Sequence, residues 1–93
     1  MIEVIKCINN NFPNQRTDRI CSSIVGRTAA WYNKLGRTDI VFIEKGTFKD
    51  KEWLAKNKIT SFPTLLFYKD GELKYERNKI MAQAQIMEVI ENL

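Results

Sequence analysis

The 93-residue sequence contains no histidine and only two cysteines, Cys7 and Cys21. Histidine is the usual general base of nucleophilic catalysis and the commonest zinc ligand, so its absence excludes serine-triad chemistry and histidine-based metal sites. Two cysteines are too few for a disulfide-stapled secreted scaffold, and their spacing fits no zinc motif. The sequence therefore predicts no metal site and no other cofactor.

The sequence also lacks a long apolar run. Nowhere do about 18 apolar residues follow one another, as a membrane-spanning helix requires. The first residues, M-I-E-V-I-K, form a segment too short and too charged for a signal peptide. We therefore expect no membrane association, and a cytoplasmic protein or a chain from which a leader has been removed.

Charge of one sign is not concentrated anywhere in the chain. The 15 basic residues outnumber the 11 acidic ones and give a net charge of +4, but they are scattered and form no basic cluster. Solvated helix faces and turns explain them better than nucleic-acid binding does. With 44% hydrophobic and 28% charged residues, the composition is that of one globular domain, which we assign to residues 1–93.

Apolar runs, helical spacing and turn residues predict seven elements in the order β-α-β-α-β-β-α. They are a strand at 2–8, a helix from Thr17 or Asp18 to about Leu35, a strand at 39–44, a short helix capped by Thr47 and ending near Asn57, strands at 65–68 and 72–76, and a last segment opening at Asn78 or Lys79. The first two strands should be parallel because a helix connects them. Two apolar stripes should face the core. They are Ile20, Ile24, Trp31 and Leu35 in the first helix, and Ile86, Val89, Ile90 and Leu93 in the last.

The most informative stretch is residues 59–72, which read I-T-S-F-P-T-L-L-F-Y-K-D-G-E. A proline cannot donate to a sheet ladder, so Pro63 belongs at the start of the strand that follows it. A prolyl bond can be cis at modest cost, usually in a tight turn. Asp70-Gly71 is a two-residue hairpin signal between two strands.

This stretch resembles the thioredoxin family, in which Ile/Val-Pro-Thr with a cis proline precedes a buried strand and a K-x-G-E hairpin. The matching residues here are Phe62-Pro63-Thr64, Lys69 and Gly71-Glu72. The resemblance implies an α/β thioredoxin-like fold, with a four-stranded mixed sheet flanked by helices and a cis bond at Pro63. The family's additional N-terminal strand and helix have no counterpart in this sequence.

The family places a C-x-x-C motif at the start of the first long helix, where free amides and the helix dipole stabilise a thiolate. Here that position reads Asp18-Arg19-Ile20-Cys21. A carboxylate can occupy a helix start but cannot attack a disulfide, so ordinary dithiol exchange through one C-x-x-C is excluded. The charge of Asp18 should disfavour a thiolate at Cys21, whereas Arg16 and Arg19 should favour it.

Two kinds of function stay open at this point. In the first, Cys21 is the catalytic residue of a thiol redox protein, acting alone or with Cys7 as its disulfide partner. In the second, the chain is a redox-inactive module that binds a protein or peptide, which could include a cysteine-containing substrate.

The resemblance also implies where such a partner would bind. The backbone of Phe62, beside Pro63 and Thr64, would pair with an extended peptide next to Asp18 and Arg19. Against both forms of the redox role, with Cys21 alone or paired with Cys7, stands the simpler interpretation that the two cysteines are core residues. Phe12, Pro13, Trp31 and Trp53 could add apolar surface to the groove, although aromatic residues at helical spacing are more often core.

Overall fold

A computed structural model describes residues 1–9 and 16–93, so Phe12 and Pro13 lie outside the described residues. The seven elements follow the predicted order. They are β1 (Ile2–Ile8), α1 (Arg16–Lys34), β2 (Ile40–Gly46), α2 (Lys51–Lys56), β3 (Thr64–Lys69), β4 (Glu72–Arg77) and α3 (Gln83–Glu91). No helix among the described residues is both long and apolar enough to cross a bilayer.

The strands form one four-stranded sheet in the order β2-β1-β3-β4, with β1 paired on both sides. β1 runs parallel to β2, with Val4 opposite Phe42, and antiparallel to β3, with Cys7 opposite Thr64. The β3–β4 hairpin turns at Asp70 and Gly71, which have φ angles of 52° and 84°. Positive φ at both turn residues matches the twist of the strands, as the Asp-Gly pair predicts.

Alternate residues of β1 and β3 point to opposite faces of the sheet and separate the core into two clusters. The α1–α3 cluster lies on the face covered by α1 and α3. Its buried members are Ile2, Val4, Cys21, Val25, Tyr32, Leu65, Phe67, Met81, Ile86 and Ile90. The α2 cluster lies on the other face, and its buried members are Ile5, Cys7, Leu54 and Leu66.

The predicted core stripe of α1 is displaced by one residue from the observed one. Ile20, Trp31 and Leu35 are 39%, 42% and 56% exposed, whereas their neighbours Cys21 and Tyr32 are buried. The helix is therefore rotated about its axis relative to the predicted orientation. The stripe predicted for α3 is correct, because Ile86 and Ile90 are buried and Val89 and Leu93 pack beside them.

Three element boundaries also differ from prediction. Strand β2 continues to Gly46, and Thr47 does not cap α2. Asp50 precedes that helix instead, and its carboxylate accepts a hydrogen bond from the Gly46 amide at 3.0 Å. α3 begins only at Gln83, where the Gln85 side chain accepts a hydrogen bond from the Ala82 amide at 2.9 Å.

Two glycines of the first helical segment should respond oppositely to alanine. Gly26 is an exposed mid-helix residue with open space where a Cβ would lie, whereas Gly36 ends the helix with a φ angle of +74°. We expect Gly26→Ala to raise the free energy of unfolding by about 0.5–1 kcal/mol and Gly36→Ala to lower it by about 1 kcal/mol or more. Urea unfolding of both variants measures this, and a loss of stability in Gly26→Ala would contradict the expectation.

Candidate functional site at the end of β1

The predicted site residues meet where β1 ends, β3 begins and α1 begins. Cys7 lies opposite Thr64 in the β1–β3 ladder, so the strand start at Pro63 lies next to the end of β1. Asn9 follows that end, and its amide donates a hydrogen bond to Asp18 Oδ2 at 3.0 Å. This bond connects the first turn of α1 to the end of the central strand.

Asp18 is the third residue of α1 and is only 7% exposed. The positive end of the helix dipole favours its carboxylate there. Its second oxygen, Oδ1, is buried and has no hydrogen-bond partner among the described residues. A buried acceptor without a partner costs about 1–3 kcal/mol, so the structure holds this carboxylate at some expense. Asp18 therefore occupies the helix start as a buried side chain bonded to the Asn9 amide, whereas Arg19 beside it is exposed.

The sulfur of Cys21 is inside the protein. Its residue is fully buried within the α1–α3 cluster, one turn along the helix from Asp18. Burial raises the pKa of the Cys21 thiol, the positive charge of Lys6 lowers it, and the negative charge of Asp18 raises it again. The net effect is a raised pKa, so Cys21 is a protonated, inaccessible thiol in this structure.

Lys6 is the site residue that the sequence analysis missed. Its side chain is 11% exposed and its Nζ lies 2.9 Å from Glu44 Oε1. The same ammonium donates a hydrogen bond to the hydroxyl of Ser22, the neighbour of Cys21, at 3.0 Å. The sequence did contain a signal for this role. Lys6 is an even-numbered residue of β1, like Ile2 and Val4, which face the core, so its charge was placed on the core side of the strand. The expected cations, Arg16 and Arg19, are both exposed and act less on the thiol than Lys6 does.

Cys7 is equally buried, but it belongs to the α2 cluster on the opposite face of the sheet from Cys21. Burial, followed by the negative charges of Glu76 and Asp50, raises the pKa of the Cys7 thiol to about 12. Both cysteines are free. The hypothesised Cys7–Cys21 disulfide is therefore not formed in the structure, because the sheet itself separates the two side chains.

The turn before β3 presents backbone groups at the same end of the sheet. The Phe62–Pro63 peptide bond is cis, and the Thr64 hydroxyl donates a hydrogen bond to the Ser61 carbonyl at 2.7 Å. The Phe62 side chain packs half-buried against the α2 cluster. Within residues 1–9 and 16–93, the amide and carbonyl of Phe62 have no hydrogen-bond partner. An extended peptide could pair with them.

Two cavities in the described part of the chain are open to solvent. One of about 580 Å³ lies between β4 and α3, away from both cysteines, and includes Tyr75, Arg77 and Glu88 in its wall. Another of about 310 Å³ lies beside Glu44 and Asp50, at the same end of the sheet as Asn9. Across the described residues, no cluster of three cysteine, aspartate or glutamate side chains is placed to hold a metal ion.

Comparison with solved structures decides the fold. The chain is similar to thioredoxin-2 of a malaria parasite, with a TM-score of 0.85 and 13% identity, over 100% of this chain and 84% of that one. It is also similar to the thioredoxin of Plasmodium falciparum, with a TM-score of 0.74 and 19% identity, over 98% and 79% of the two chains. The chain has the thioredoxin fold.

Thioredoxin of Fasciola hepatica gives the same result, with a TM-score of 0.72 and 19% identity, over 98% of this chain and 79% of that one. Neither protein-family models nor curated protein sequences match the chain. The similarity therefore lies in the backbone structure and not in the sequence. It confirms the predicted thioredoxin-like α/β fold with its four-stranded mixed sheet. What this thioredoxin fold does depends on its own residues at the end of β1.

The raised pKa of Cys7 predicts a specific loss of stability in alkali. The folded thiol stays protonated up to about pH 12, whereas the unfolded thiol ionises near its ordinary value of 9.0. Between these values the unfolded chain binds fewer protons, so the free energy of unfolding falls as pH rises, by up to about 1.4 kcal/mol per pH unit from this thiol. Urea unfolding in reductant at pH 9 to 11 should show a shallower fall for Cys7→Ala.

Ile5→Val is the matched control for that measurement. It truncates another buried side chain of the α2 cluster without removing a titrating group. It should lower stability by about 0.5–1.5 kcal/mol while leaving the pH dependence of the wild type unchanged. An identical pH dependence in Cys7→Ala and wild type would refute the assignment.

Proposed function

We propose that the chain is a thioredoxin-fold domain that binds an extended segment of a protein partner beside Pro63 and does not perform dithiol–disulfide exchange. The observation that carries the proposal is the state of the helix start. Asp18 occupies it as a buried carboxylate fixed by the Asn9 amide, and the nearest sulfur, Cys21, is fully buried.

Disulfide exchange begins with attack by an accessible thiolate on a disulfide sulfur. A carboxylate cannot make that attack. Cys21 could make it only after an opening that brings its sulfur to the surface, and its raised pKa keeps it protonated in the closed state. Cys7 is further from reaction, because its pKa is raised to about 12 and its side chain faces the α2 cluster. These features support a fold retained without the exchange chemistry.

Binding of an extended segment requires neither a thiolate nor an accessible sulfur. The unpaired amide and carbonyl of Phe62 can form main-chain hydrogen bonds with an extended segment, which then lies across the end of β1.

A thiol redox role for Cys21 is the second candidate, and one observation favours it. Lys6 is nearly buried and bonded to Ser22, and its charge lowers the pKa of Cys21 against the effect of burial. An opening of the first turn of α1 would expose Cys21 while this cation stays near it. Acting as a single thiol, the Cys21 thiolate would attack one sulfur of a partner disulfide and displace the other sulfur as a thiolate. A thiolate of the partner would then attack the mixed disulfide and release Cys21.

Asp18→Cys separates the two candidates. Reduction of insulin disulfides by dithiothreitol should proceed at the uncatalysed rate with the wild type and with Cys21→Ser. Asp18→Cys should accelerate it, because a thiol then stands at the helix start with Cys21 as the resolving thiol. Catalysis by the wild type that is lost in Cys21→Ser would overturn the proposal in favour of the redox role.

Peptide binding is tested with an extended probe that contains no free thiol. Carboxamidomethylated insulin B chain, titrated against labelled protein, should shift the amide resonances of Phe62, Thr64 and Asn9. Phe62→Asp should weaken this binding by about tenfold or more, because the charge is added where the peptide lies. Leu73→Asp, a similar change at an exposed leucine on β4, is the control and should leave binding unchanged. Equal binding to both variants, or shifts confined to other residues, would contradict the assigned groove.

A further inference from the structure

The first half of one edge strand lacks the features that keep edge strands from pairing. Among the described strands β2 pairs only with β1, is seven residues long, and pairs with it without a bulge. Its first four residues, I-V-F-I, are all apolar, and Val41 is 38% exposed. β4, at the other edge, alternates charged residues as E-L-K-Y-E-R and pairs with β3 through an irregular register. Charges and bulges of this kind protect an edge, and β2 has neither over those four residues.

Two hydrogen bonds identify the backbone groups that β2 presents outward. The Ile2 amide bonds to the Asp39 carbonyl at 2.7 Å, and the Thr47 amide bonds to the Ile8 carbonyl at 3.2 Å. Within residues 39–47, the odd-numbered residues therefore direct their backbone amides and carbonyls toward β1, and the even-numbered residues direct theirs away from it. The outward residues are Ile40, Phe42, Glu44 and Gly46.

Within residues 1–9 and 16–93, only one of these outward amides has a partner. The Gly46 amide is bonded to the Asp50 carboxylate at 3.0 Å. The amides and carbonyls of Ile40, Phe42 and Glu44 have no hydrogen-bond partner in the part of the chain that the structure describes. An open, apolar strand with unpaired groups on alternate residues is a template for one more strand.

We propose that β2 of one copy pairs antiparallel with β2 of a second copy, in the register that places the two Phe42 residues opposite each other. A two-fold axis perpendicular to the sheet relates the copies, so the α1–α3 faces of both lie on the same side. The result is a continuous sheet twice as wide, with β2 no longer at an edge.

This register is favoured by hydrogen bonding. It places Ile40 opposite Glu44 and Phe42 opposite its symmetry mate, so that every unpaired outward group gains a partner. Centring the pair on Ile43 would place Ile40 opposite Gly46, whose amide is already bonded to Asp50.

The same register is favoured by side-chain chemistry. On the α2 face it brings Val41 against Ile43, which makes two symmetric apolar contacts. At each end it brings Asp39 of one copy opposite Lys45 of the other, two side chains of opposite charge. Within each copy Asp39 also bonds to Arg37 at 2.8 Å and Lys45 lies 3.7 Å from Asp50. A strand that is complementary to itself in both charge and apolar residues points to a second copy as the occupant.

Sedimentation of the full chain tests the proposal. The wild type should reach a dimer at high micromolar concentration and dissociate on dilution. Val41→Lys should raise the dimer dissociation constant by about tenfold or more, because it places a charge against the partner's Ile43. Leu73→Lys, the matched change on β4, should leave the constant unchanged. Circular dichroism of each variant as a monomer checks that it folds.

Charge reversal tests the register itself. Lys45→Glu and Asp39→Lys should each weaken the homodimer, since like charges then face each other at both ends. An equimolar mixture of the two variants should regain dimers, because Asp39 of the first meets Lys45 of the second, and the introduced Glu and Lys meet at the other end. A wild type that stays monomeric, a dimer unaffected by Val41→Lys, equal weakening by Leu73→Lys, or a mixture no more dimeric than its components would each overturn the proposal.

Discussion

Pairing of β1 on both of its sides determines which residues can meet at the candidate functional site. A strand hydrogen-bonded to two neighbours cannot rotate, so each side chain is held on one face of the sheet. Lys6 and Cys7 are therefore directed to opposite faces. Lys6 approaches Ser22 and Cys21 on α1, and Cys7 enters the α2 cluster. A shift of β1 by one residue would exchange the two faces. The register of β1 therefore determines that the charge of Lys6 acts on Cys21 and that Cys7 lies out of its reach.

The end of β1 also decides what the start of α1 can do. The Asn9 amide needs an acceptor once the strand has ended, and Asp18 supplies one from the first turn of the helix. A thiol at this position would be a weak acceptor and a good nucleophile, whereas a carboxylate is a strong acceptor and no nucleophile toward sulfur. A residue at this position can therefore either accept the hydrogen bond of the Asn9 amide or take part in exchange chemistry. Asp18 accepts the hydrogen bond.

Most of the fold could be predicted from the sequence because its signals are local. Asp70-Gly71 requires positive φ angles that few other residue pairs tolerate, and residues 65–68 form an apolar, β-prone run between two turn signals, which favours a buried strand. The order of the elements followed from such signals, and α1 ends at Lys34, next to the predicted end at Leu35.

The site was less predictable because its geometry depends on long-range register. Cys21 and Ile20 have similar apolar character, and only the rotation of α1 against the sheet determines that Cys21 is buried and Ile20 is 39% exposed. Lys6 could not be assigned to Cys21 before the face of β1 was known. The separation of Cys7 from Cys21 is also a property of the sheet, and neither their spacing nor their chemistry indicates it.

The edge strand and the site share one residue, and this connects the two proposals. Glu44 presents its backbone to the open edge of β2, while its side chain holds Lys6 at 2.9 Å. A second β2 strand would fix the backbone of Glu44 and shield its carboxylate, which is 54% exposed in the single chain. Reduced solvent screening would strengthen the Glu44–Lys6 attraction and weaken the favourable effect of Lys6 on a Cys21 thiolate. Pairing through β2 and a reactive Cys21 thus act against each other, whereas pairing and peptide binding at Phe62, on the far side of β1, are compatible.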